Sequence, residues 1–404
     1  MSSHDTEAME FLQAPDGEGG GGFTGLADLL SPLGEQRFAE EFAEKKPFFI
    51  KRNRVGYFDP VISLEQIGDL LSSVVFYESE VRVAKDGGIV PNSAYCNSGT
   101  VNRAKIWSQY RSGATLVFEH LSRKHAGLLR LMSACEQSLM VPCRANAYIT
   151  PPSSRGFNLH YDTHDVLILQ VSGSKLWRVH DSPLALPHEE QSFRPEWAQR
   201  SRLLAEINLE PGDVLYLPRG YIHGASTNHD TSFHVTIGIR SVTLRDVYAT
   251  ALRRALIADP AMRPVALFQV ASTDVDALRR SLLERVDSVD LLGALRDAEV
   301  SFLRKRGRPF DGRLMQVVQQ GDIELDTRLR VSPGAIFSAF EHDRSVTVKF
   351  DRRSITLPSG VRPALDFVKT TPAFRPADLP GLEQESRLIF ARTLFSARVI
   401  ERAA

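Results

Sequence analysis

The chain has 404 residues, with 49 basic and 49 acidic side chains and three cysteines. A balanced charge provides no general attraction to nucleic acid, and three cysteines are too few for a disulfide framework. No apolar run in the sequence is long enough to span a membrane, and the length allows two or three domains with a large core. We therefore expect a cytoplasmic protein with no membrane or nucleic-acid partner.

The first half of the chain is predicted to form a disordered tail and one domain. Residues 1–22 are rich in glycine and acids and poor in apolar side chains, so we expect disorder there. Residues 23–241 follow, and their front is predicted to contain these elements: a helix over Glu35–Lys45, a strand over Phe48–Lys51, a helix near Leu64–Ser72 and a long helix over Leu116–Glu136. Apolar and alternating strands then fill residues 143–240, which is typical of a double-stranded β-helix, or jelly-roll barrel.

In the second half, from Leu244 onwards, the spacing of apolar residues changes from that of strands to that of helices. Residues 242–320 carry apolar stripes at helical spacing, which predict a helical bundle. Residues 321–404 mix short strands with helices, predicted in this order: strands over Arg328–Val331, Val346–Phe350 and Ser354–Leu357, then helices over Gly360–Lys369 and Glu383–Ile400. The fold class is therefore expected to be mixed α and β, with three parts after the tail.

The most specific motif is His160-Tyr161-Asp162, which is followed by a second histidine at His223. Two imidazoles and one carboxylate can bind one face of a metal ion and leave the other positions open, as in Fe(II) oxygenases. Residues two apart in a strand point to the same side, so His160 and Asp162 can hold one ion together. His223 follows a short strand between two turns, so it comes from a second hairpin. An alternative remains, in which both histidines are core side chains and Asp162 caps a turn.

Longer segments around these ligands resemble a known family. The stretch from Ala145 to His180 and the segment from Pro211 to His223 are similar to the JmjC 2-oxoglutarate oxygenases, and more narrowly to their ribosomal oxygenase branch. The segment from Phe42 to Lys51 also resembles a segment near the start of that branch. The resemblance implies a cupin-like JmjC barrel over residues 23–241, a helical homodimerisation domain over 242–320 and a winged-helix-like domain over 321–404.

The resemblance also implies the cofactor and the reaction. Fe(II) would be held by His160, Asp162 and His223, with 2-oxoglutarate as cosubstrate and no further catalytic side chain. The implied reaction is hydroxylation of a side chain in a protein or peptide, with release of succinate and CO2. The target would be an arginine or histidine of a ribosomal protein, or a lysine or arginine of another peptide.

Four residues are candidates for binding 2-oxoglutarate. Lys175 stands where the resembled branch places the cation for the distal carboxylate, and Tyr148 matches the hydroxyl that shares this carboxylate. Asn146 lies two residues before Tyr148 on the same strand face, and Thr236 lies on the strand that returns after His223. Both are further candidates for contact with the cosubstrate, and Asn146 could instead contact the substrate.

Three neighbouring side chains are assigned other positions. His234 is expected to support the barrel wall, His164 to face the substrate or to lie behind the metal ligands, and Trp177 to lie in the core. A lysine fifteen residues after His160 argues against a simple cupin, which has no need of a cation for a distal carboxylate.

Several other functions remain open from the sequence. One is a metal-binding cupin-type enzyme that does not use 2-oxoglutarate, and another is a dimeric protein-interaction module without catalysis. Lysine demethylation is a lesser alternative, because no residues specifically indicate a cage for a methylammonium group. The last predicted helix mixes arginines with glutamates, which favours protein contact over DNA binding.

Overall fold

The computed structural model describes residues 9–15, 25–263, 274–306, 323–351 and 353–403. The chain divides into two compact units, and the division falls between Arg240 and Ser241. The boundary expected between residues 320 and 321 lies outside the described residues. None of the helices in the described ranges is both long and apolar enough to cross a lipid bilayer.

The first unit consists of a barrel with helices at its front. Its described strands are β1 (Glu10–Gln13), β2 (Phe48–Lys51), β3 (Val81–Lys85), β4 (Gly88–Ile89), β5 (Cys96–Asn97), β6 (Thr100–Val101), β7 (Thr115–Phe118), β8 (Cys143–Thr150), β9 (Asp165–Ser172), β10 (Lys175–His180), β11 (Leu203–Leu209), β12 (Val214–Leu217), β13 (His223–Ser226) and β14 (Ser232–Ile239). Its described α-helices are Leu26–Leu30, Glu35–Arg37, Leu64–Ser73, Arg103–Arg111, Ala126–Leu139 and Pro195–Ala198, and a π-helical turn at Phe38–Phe42 extends the second of these.

Two sheets build the barrel. The larger has the strand order β1-β2-β12-β9-β14-β8-β7-β3-β4, and the smaller has the order β11-β10-β13. Ile168 of the larger sheet and Trp177, Val179 and Ile207 of the smaller belong to one buried cluster, so the two sheets pack face to face. This arrangement confirms the predicted cupin-like barrel.

Strand β9 is apolar from Val166 to Leu169 because both of its faces are buried there. Leu167 and Leu169 pack in the large cluster that includes the front helices, while Val166 and Ile168 face the barrel interior. The neighbouring strands β8 and β14 pair in antiparallel register, with Tyr148 opposite His234. Side chains of the same parity on these strands therefore form rows that line the barrel interior.

The prediction of one long helix over Leu116–Glu136 is wrong. Thr115–Phe118 forms strand β7, which pairs with β3 on one side and β8 on the other, and its β-branched and aromatic side chains are fully buried inside the sheet. His120 then adopts a left-handed backbone conformation with φ 52°, which interrupts any helix. The α-helix begins only at Ala126, where the His125 ring nitrogen accepts a hydrogen bond from the Leu128 amide.

The prediction of disorder over residues 1–22 is wrong at β1, which pairs in parallel with β2. Met9 is buried in the barrel cluster, and the Phe11 ring contacts the Phe49 ring edge to face at 5.8 Å. The buried Met9 and the partly buried Leu12, together with the backbone pairing to β2, give the short segment enough contact to be ordered. The remainder of the predicted tail, residues 1–8 and 16–22, lies outside the described residues.

The second unit contains helices followed by small sheets. Its described α-helices are Leu244–Ala258, Val275–Val286, Leu291–Lys305, Arg362–Thr370 and Gln384–Ser396. Its described strands are β15 (Leu329–Val331), β16 (Phe337–His342), β17 (Ser345–Phe350), β18 (Arg353–Pro358) and β19 (Ile400–Arg402). Strands β16-β17-β18 form an antiparallel sheet, and β15 pairs with β19. Strands β16 and β19 were not predicted from the sequence. The helix predicted over Glu383–Ile400 ends at Ser396, and Ile400 lies in β19.

Candidate functional site

The three predicted metal ligands come together beside β13. Ligand atoms of His160, Asp162 and His223 all lie within 4.8 Å of one another. Two backbone hydrogen bonds of 2.8 and 3.0 Å join His160 to His223, and the Asp162 carbonyl accepts one of 3.0 Å from the Gly220 amide. Gly220 has φ 93°, and a Cβ there would lie 2.6 Å from the Leu184 carbonyl oxygen, so glycine is required for this turn.

The segment that carries the first two ligands is less regular than predicted. His160 forms only an isolated bridge with His223, and strand β9 begins at Asp165. The expectation of strand geometry from His160 to Asp162 is therefore replaced by an irregular segment. The ligand atoms still converge, because the backbone bridge and the Gly220 hydrogen bond hold this segment against the next hairpin.

Both imidazoles are oriented for metal binding. The Nδ1 atom of His160 lies 2.8 Å from the Asn158 carbonyl oxygen, and that of His223 lies 3.0 Å from the Tyr221 carbonyl oxygen. Because a carbonyl oxygen only accepts, each Nδ1 carries the hydrogen and donates it. The lone pair of each neutral ring is therefore on Nε2, which is the arrangement found behind metal-binding histidines.

The protonation states suit a divalent cation. Burial raises the pKa of Asp162, but the imidazoles of His223, His164 and His160 outweigh burial and hold it below its ordinary value. Burial, together with the charge of His160, lowers the pKa of His223 to about 4. Near neutral pH the carboxylate is ionised and the His223 ring is uncharged, as metal ligation requires.

These ligands line a cavity of about 200 Å³ in the barrel interior. The cavity is lined by all seven residues predicted to bind the metal or the cosubstrate: His160, Asp162, His223, Lys175, Tyr148, Asn146 and Thr236. His164, Trp177 and His234 also line it. His234 and Trp177 are buried as expected, and His234 stacks on Tyr148 at 4.7 Å.

Lys175 places a buried cation in the cavity wall. Its side chain is 5% exposed, and its Nζ donates a hydrogen bond of 2.9 Å to Thr150 Oγ1. Burial lowers the pKa of Lys175 to about 7. Within the described ranges no carboxylate forms an ion pair with this ammonium group, so its position suits an anionic ligand.

Tyr148 lies on the same strand as Thr150. Asn146 lies two residues before Tyr148 on the same strand face, and Thr236 pairs with Asn146 across β8 and β14. Burial raises the pKa of Tyr148, so the hydroxyl stays protonated and can donate. Tyr148 and Lys175 thus line the same cavity, and the hydrogen bond of the lysine ammonium group goes to Thr150.

Two residues of the cavity wall, Thr115 and Arg82, and the fully buried Thr150 behind Lys175 were not predicted from the sequence. Thr150 accepts hydrogen bonds from both Lys175 and the Thr115 hydroxyl, the latter at 3.1 Å. The signal for Thr150 was available, because it lies two residues beyond Tyr148 on one strand face. Arg82 also lines the cavity and pairs with Glu119 at 2.6 Å, but its distance from the motif in sequence hid it.

The depressed pKa of Lys175 predicts a pH effect on the stability of the ligand-free protein. Lys175 has an ordinary pKa of 10.5 in the unfolded chain and a pKa of about 7 when folded, so the unfolded state binds more protons between these values. The cost of burying the charged amine is therefore complete below pH 7 and disappears as the pH rises towards 10.5. Lys175→Met should unfold at higher denaturant concentration than the wild type at pH 7, and the difference should shrink at pH 9. A pH-independent difference would contradict the assignment.

The region that carries the site is similar to known proteins. Residues 120–247 match the family model described as JmjC domain. A bifunctional lysine-specific demethylase and histidyl-hydroxylase NO66 from Drosophila persimilis is 32% identical over 225 residues, covering 52% of this chain and 31% of the relative. Ribosomal oxygenase 1 from Gallus gallus is 29% identical over 275 residues, covering 64% and 45% respectively. The chain thus spans less than half the length of these relatives.

Solved structures share the fold. A structure of YcfD, a ribosomal oxygenase from Escherichia coli, has a TM-score of 0.54 and 20% identity, covering 92% of this chain and 99% of that chain. A structure of YcfD in complex with cobalt and 2-oxoglutarate has a TM-score of 0.52 and 20% identity, covering 91% and 98%. At this identity the similarity concerns the fold.

Proposed function

We propose, on the premise that residues 120–247 are a JmjC domain similar to those of the ribosomal oxygenases, that this protein is an Fe(II)- and 2-oxoglutarate-dependent oxygenase. Its reaction is hydroxylation of a side chain in a protein or peptide substrate. One observation carries the proposal: the His160, Asp162 and His223 ligand set and the buried Lys175 line the same cavity of about 200 Å³. A metal site alone has no need of that lysine.

The residues of the cavity fit both groups. When bound, iron with 2-oxoglutarate and O2 supplies the oxidising power for C–H hydroxylation, and the cosubstrate leaves as succinate and CO2. The two Nε2 lone pairs and the Asp162 carboxylate provide three ligands and reduce the charge of a divalent cation. Lys175 holds the distal carboxylate in a buried position, where a charge-assisted hydrogen bond is strong, and the Thr150 hydroxyl positions the Lys175 ammonium group.

Three further residues orient the cosubstrate. Tyr148, Asn146 and Thr236 lie close together on the facing rows of β8 and β14 and line the same cavity as the metal ligands. Their hydroxyl and amide groups offer hydrogen bonds along the cavity wall. Trp177 and the His234 ring, both buried, exclude water from this wall.

The substrate class follows from the relatives. Curated relatives are named as histidyl-hydroxylases, lysine-specific demethylases and a ribosomal oxygenase, which act on proteins. We assign side-chain hydroxylation to this chain, with histidine, arginine or lysine as the target residue. A cupin-type enzyme that binds metal without 2-oxoglutarate is the alternative, and it leaves the buried Lys175 without a role.

Anaerobic titration of the Fe(II)-loaded full-length protein with 2-oxoglutarate tests the proposal. Chelation of the metal by the cosubstrate should produce a weak visible charge-transfer band. The band should vanish in His223→Ala and require far more 2-oxoglutarate in Lys175→Met. The control is Lys51→Met, an exposed strand lysine of the same unit, which should leave the titration unchanged. Absence of the band from folded, iron-loaded wild type would overturn the oxygenase assignment.

The helical region offers a candidate homodimer interface. The helix Val275–Val286 exposes Val275, Leu278, Leu282, Leu283 and Val286, each at least 44% exposed. An apolar surface of this kind is typical of a protein–protein interface. We propose that it forms the homodimer implied by the resemblance, and that residues 323–403 form a winged-helix-like module for protein contact.

Charge placed on this helix should separate the dimer. Leu278 and Leu282 lie one helical turn apart on the same face, so Leu278→Glu with Leu282→Glu would bury two carboxylates in an apolar interface. We expect a monomer in analytical ultracentrifugation at concentrations where the wild type is a dimer. Ile389→Glu, at an exposed position on another helix, should remain a dimer. A monomeric wild type, or a dimeric double variant, would exclude this interface.

A further inference from the structure

Two arginines extend the cavity-facing rows of β8 and β14 to their exposed end. Arg144 shares a strand face with Asn146 and Tyr148, because side chains two apart point the same way. It pairs with Gly238 of β14, and Arg240 follows two residues later. The Arg240 amide donates a 3.0 Å hydrogen bond to the Pro142 carbonyl oxygen, so the two strands are still paired there. The arginines are diagonal neighbours, about 7–8 Å apart at the backbone.

His164 connects these arginines with the metal ligands. A Cβ on Gly238 would lie 2.8 Å from the His164 ring, so that ring lies directly over β14 beside Arg144 and Arg240. His164 lines the same cavity as Asp162. Arg144 and Arg240 therefore flank a residue of the cavity wall, at the end of the rows that carry Asn146, Tyr148 and Thr236.

This end of the rows carries positive charge without compensating acids. Burial and the positive charges of Arg240 and Arg123 lower the pKa of Arg144. The structure records no ion pair for Arg123, Arg144 or Arg240 among the residues it describes. We call these three residues the arginine rim.

The nearby carboxylates have other partners. Glu119 pairs with Arg82 at 2.6 Å. Asp165 accepts hydrogen bonds from the Tyr216 hydroxyl and from the Arg219 amide, the latter at 3.0 Å. Asp162 belongs to the ligand set. None of them neutralises the arginine rim, which is therefore available to an anionic partner.

We propose that the arginine rim selects a protein substrate that carries an acidic side chain near the residue to be hydroxylated. This inference rests on the proposed function and names its substrate class. A peptide strand advances about 3.3 Å per residue, so an acid within about three residues of the target reaches Arg144 and Arg240. The chain has a net charge of zero, which provides no general attraction for a nucleic-acid strand and favours a short acidic peptide segment.

Peptide binding by the full-length protein tests this inference without turnover. The protein is loaded with Mn(II) and 2-oxoglutarate under anaerobic conditions and titrated with fluorescein-labelled peptides of equal length. One set has a central histidine, arginine or lysine flanked by glutamates, and the matched set has lysines in place of the glutamates. Two exposed ion pairs predict that the acidic peptides bind about 2- to 30-fold more tightly in fluorescence anisotropy.

Variants of the arginine rim then test whether these arginines cause the preference for acidic peptides. Arg144→Gln with Arg240→Gln should abolish it, and Arg144→Glu with Arg240→Glu should reverse it towards the lysine-flanked peptides. Arg178→Gln is the control, because Arg178 lies exposed on β10 and pairs with Glu206 at 2.7 Å, away from the cavity-facing rows. Equal binding of the two peptide sets, or a preference that survives in the double glutamine variant, would overturn the inference.

Two further outcomes separate the inference from its alternatives. A uridine oligonucleotide that displaces the acidic peptides at lower concentration than unlabelled peptide would overturn the assignment in favour of nucleic acid. The anaerobic charge-transfer titration, performed on the same variants, tests the oxygenase function separately from the role of the arginine rim. A normal band without an acidic preference refutes the arginine rim alone, whereas absence of the band from the wild type refutes the proposed function.

Discussion

Asp162→Ala should reduce succinate production by more than about a hundredfold, because even a partner that only orients a metal ligand contributes about 10- to 100-fold. Asp162 provides the only negative charge of the three-residue ligand set. Without it, two neutral imidazoles must hold a divalent cation alone. Its substitution also removes the anion that lies 3.7 Å from His223 Nε2. We therefore expect weak iron binding as well as lost turnover.

The measurement is succinate release and iron content in the purified variant, with circular dichroism to show that it is folded. The Asp162 backbone carbonyl, which binds Gly220, is unaffected by the substitution, so the fold should survive. Asp181→Ala is the matched control, because its carboxylate lies in the same unit and binds the Arg202 amide instead of a metal. Normal succinate production by Asp162→Ala would remove Asp162 from the ligand set.

Lys175→Met should weaken 2-oxoglutarate binding by about 30- to 4,000-fold, while iron binding stays near that of the wild type. Removing one member of a buried charge pair costs about 2–5 kcal/mol, which gives this range. Lys175 is separate from the metal ligand set, so its loss leaves the three ligands in place. Methionine retains the length and apolar stem of lysine and therefore preserves the packing around β10.

The same substitution should leave the ligand-free protein as stable as the wild type or more stable. Burial lowers the pKa of Lys175 to about 7, so the folded protein bears the cost of a charged amine whose hydrogen-bond partner, among the residues described, is the neutral Thr150 hydroxyl. Thermal unfolding with and without 2-oxoglutarate measures both effects. The wild type should gain stability from the cosubstrate and the variant should gain little. An equal gain in both proteins would show that the distal carboxylate binds elsewhere.

The barrel could be predicted because the burial pattern of each strand is local in the sequence, and the candidate ligands because their residue types stand out in short motifs. The apolar run of β9 and the alternation of β8 follow directly from which strand faces are buried. The failed prediction at Leu116–Glu136 has the opposite cause. Its leucines have near-helical spacing, but Thr115–Phe118 pairs with β3 and β8, and this long-range pairing overrides the local pattern.

The strand β1 shows the same limit. Glu10–Gln13 is too short to form structure alone, and it is ordered because it adds to the edge of β2 and contributes Met9 to the barrel cluster. Composition over residues 1–22 cannot report an edge strand, since the pairing partner lies about forty residues away. Low apolar content predicts disorder only where no such partner exists.

The sequence by itself determined which residues can bind a metal, since His160, Asp162 and His223 provide the two imidazoles and one carboxylate of a facial ligand set. Tertiary structure alone decided how they are used. The carbonyl oxygens of Asn158 and Tyr221 orient the imidazoles, and Thr150 is the partner of Lys175. Strand pairing between β8 and β14 brings Arg144 and Arg240 together at the end of the cavity-facing rows. These relationships depend on strand register and on which neighbouring charges are already paired, and both are set only when distant segments pack together.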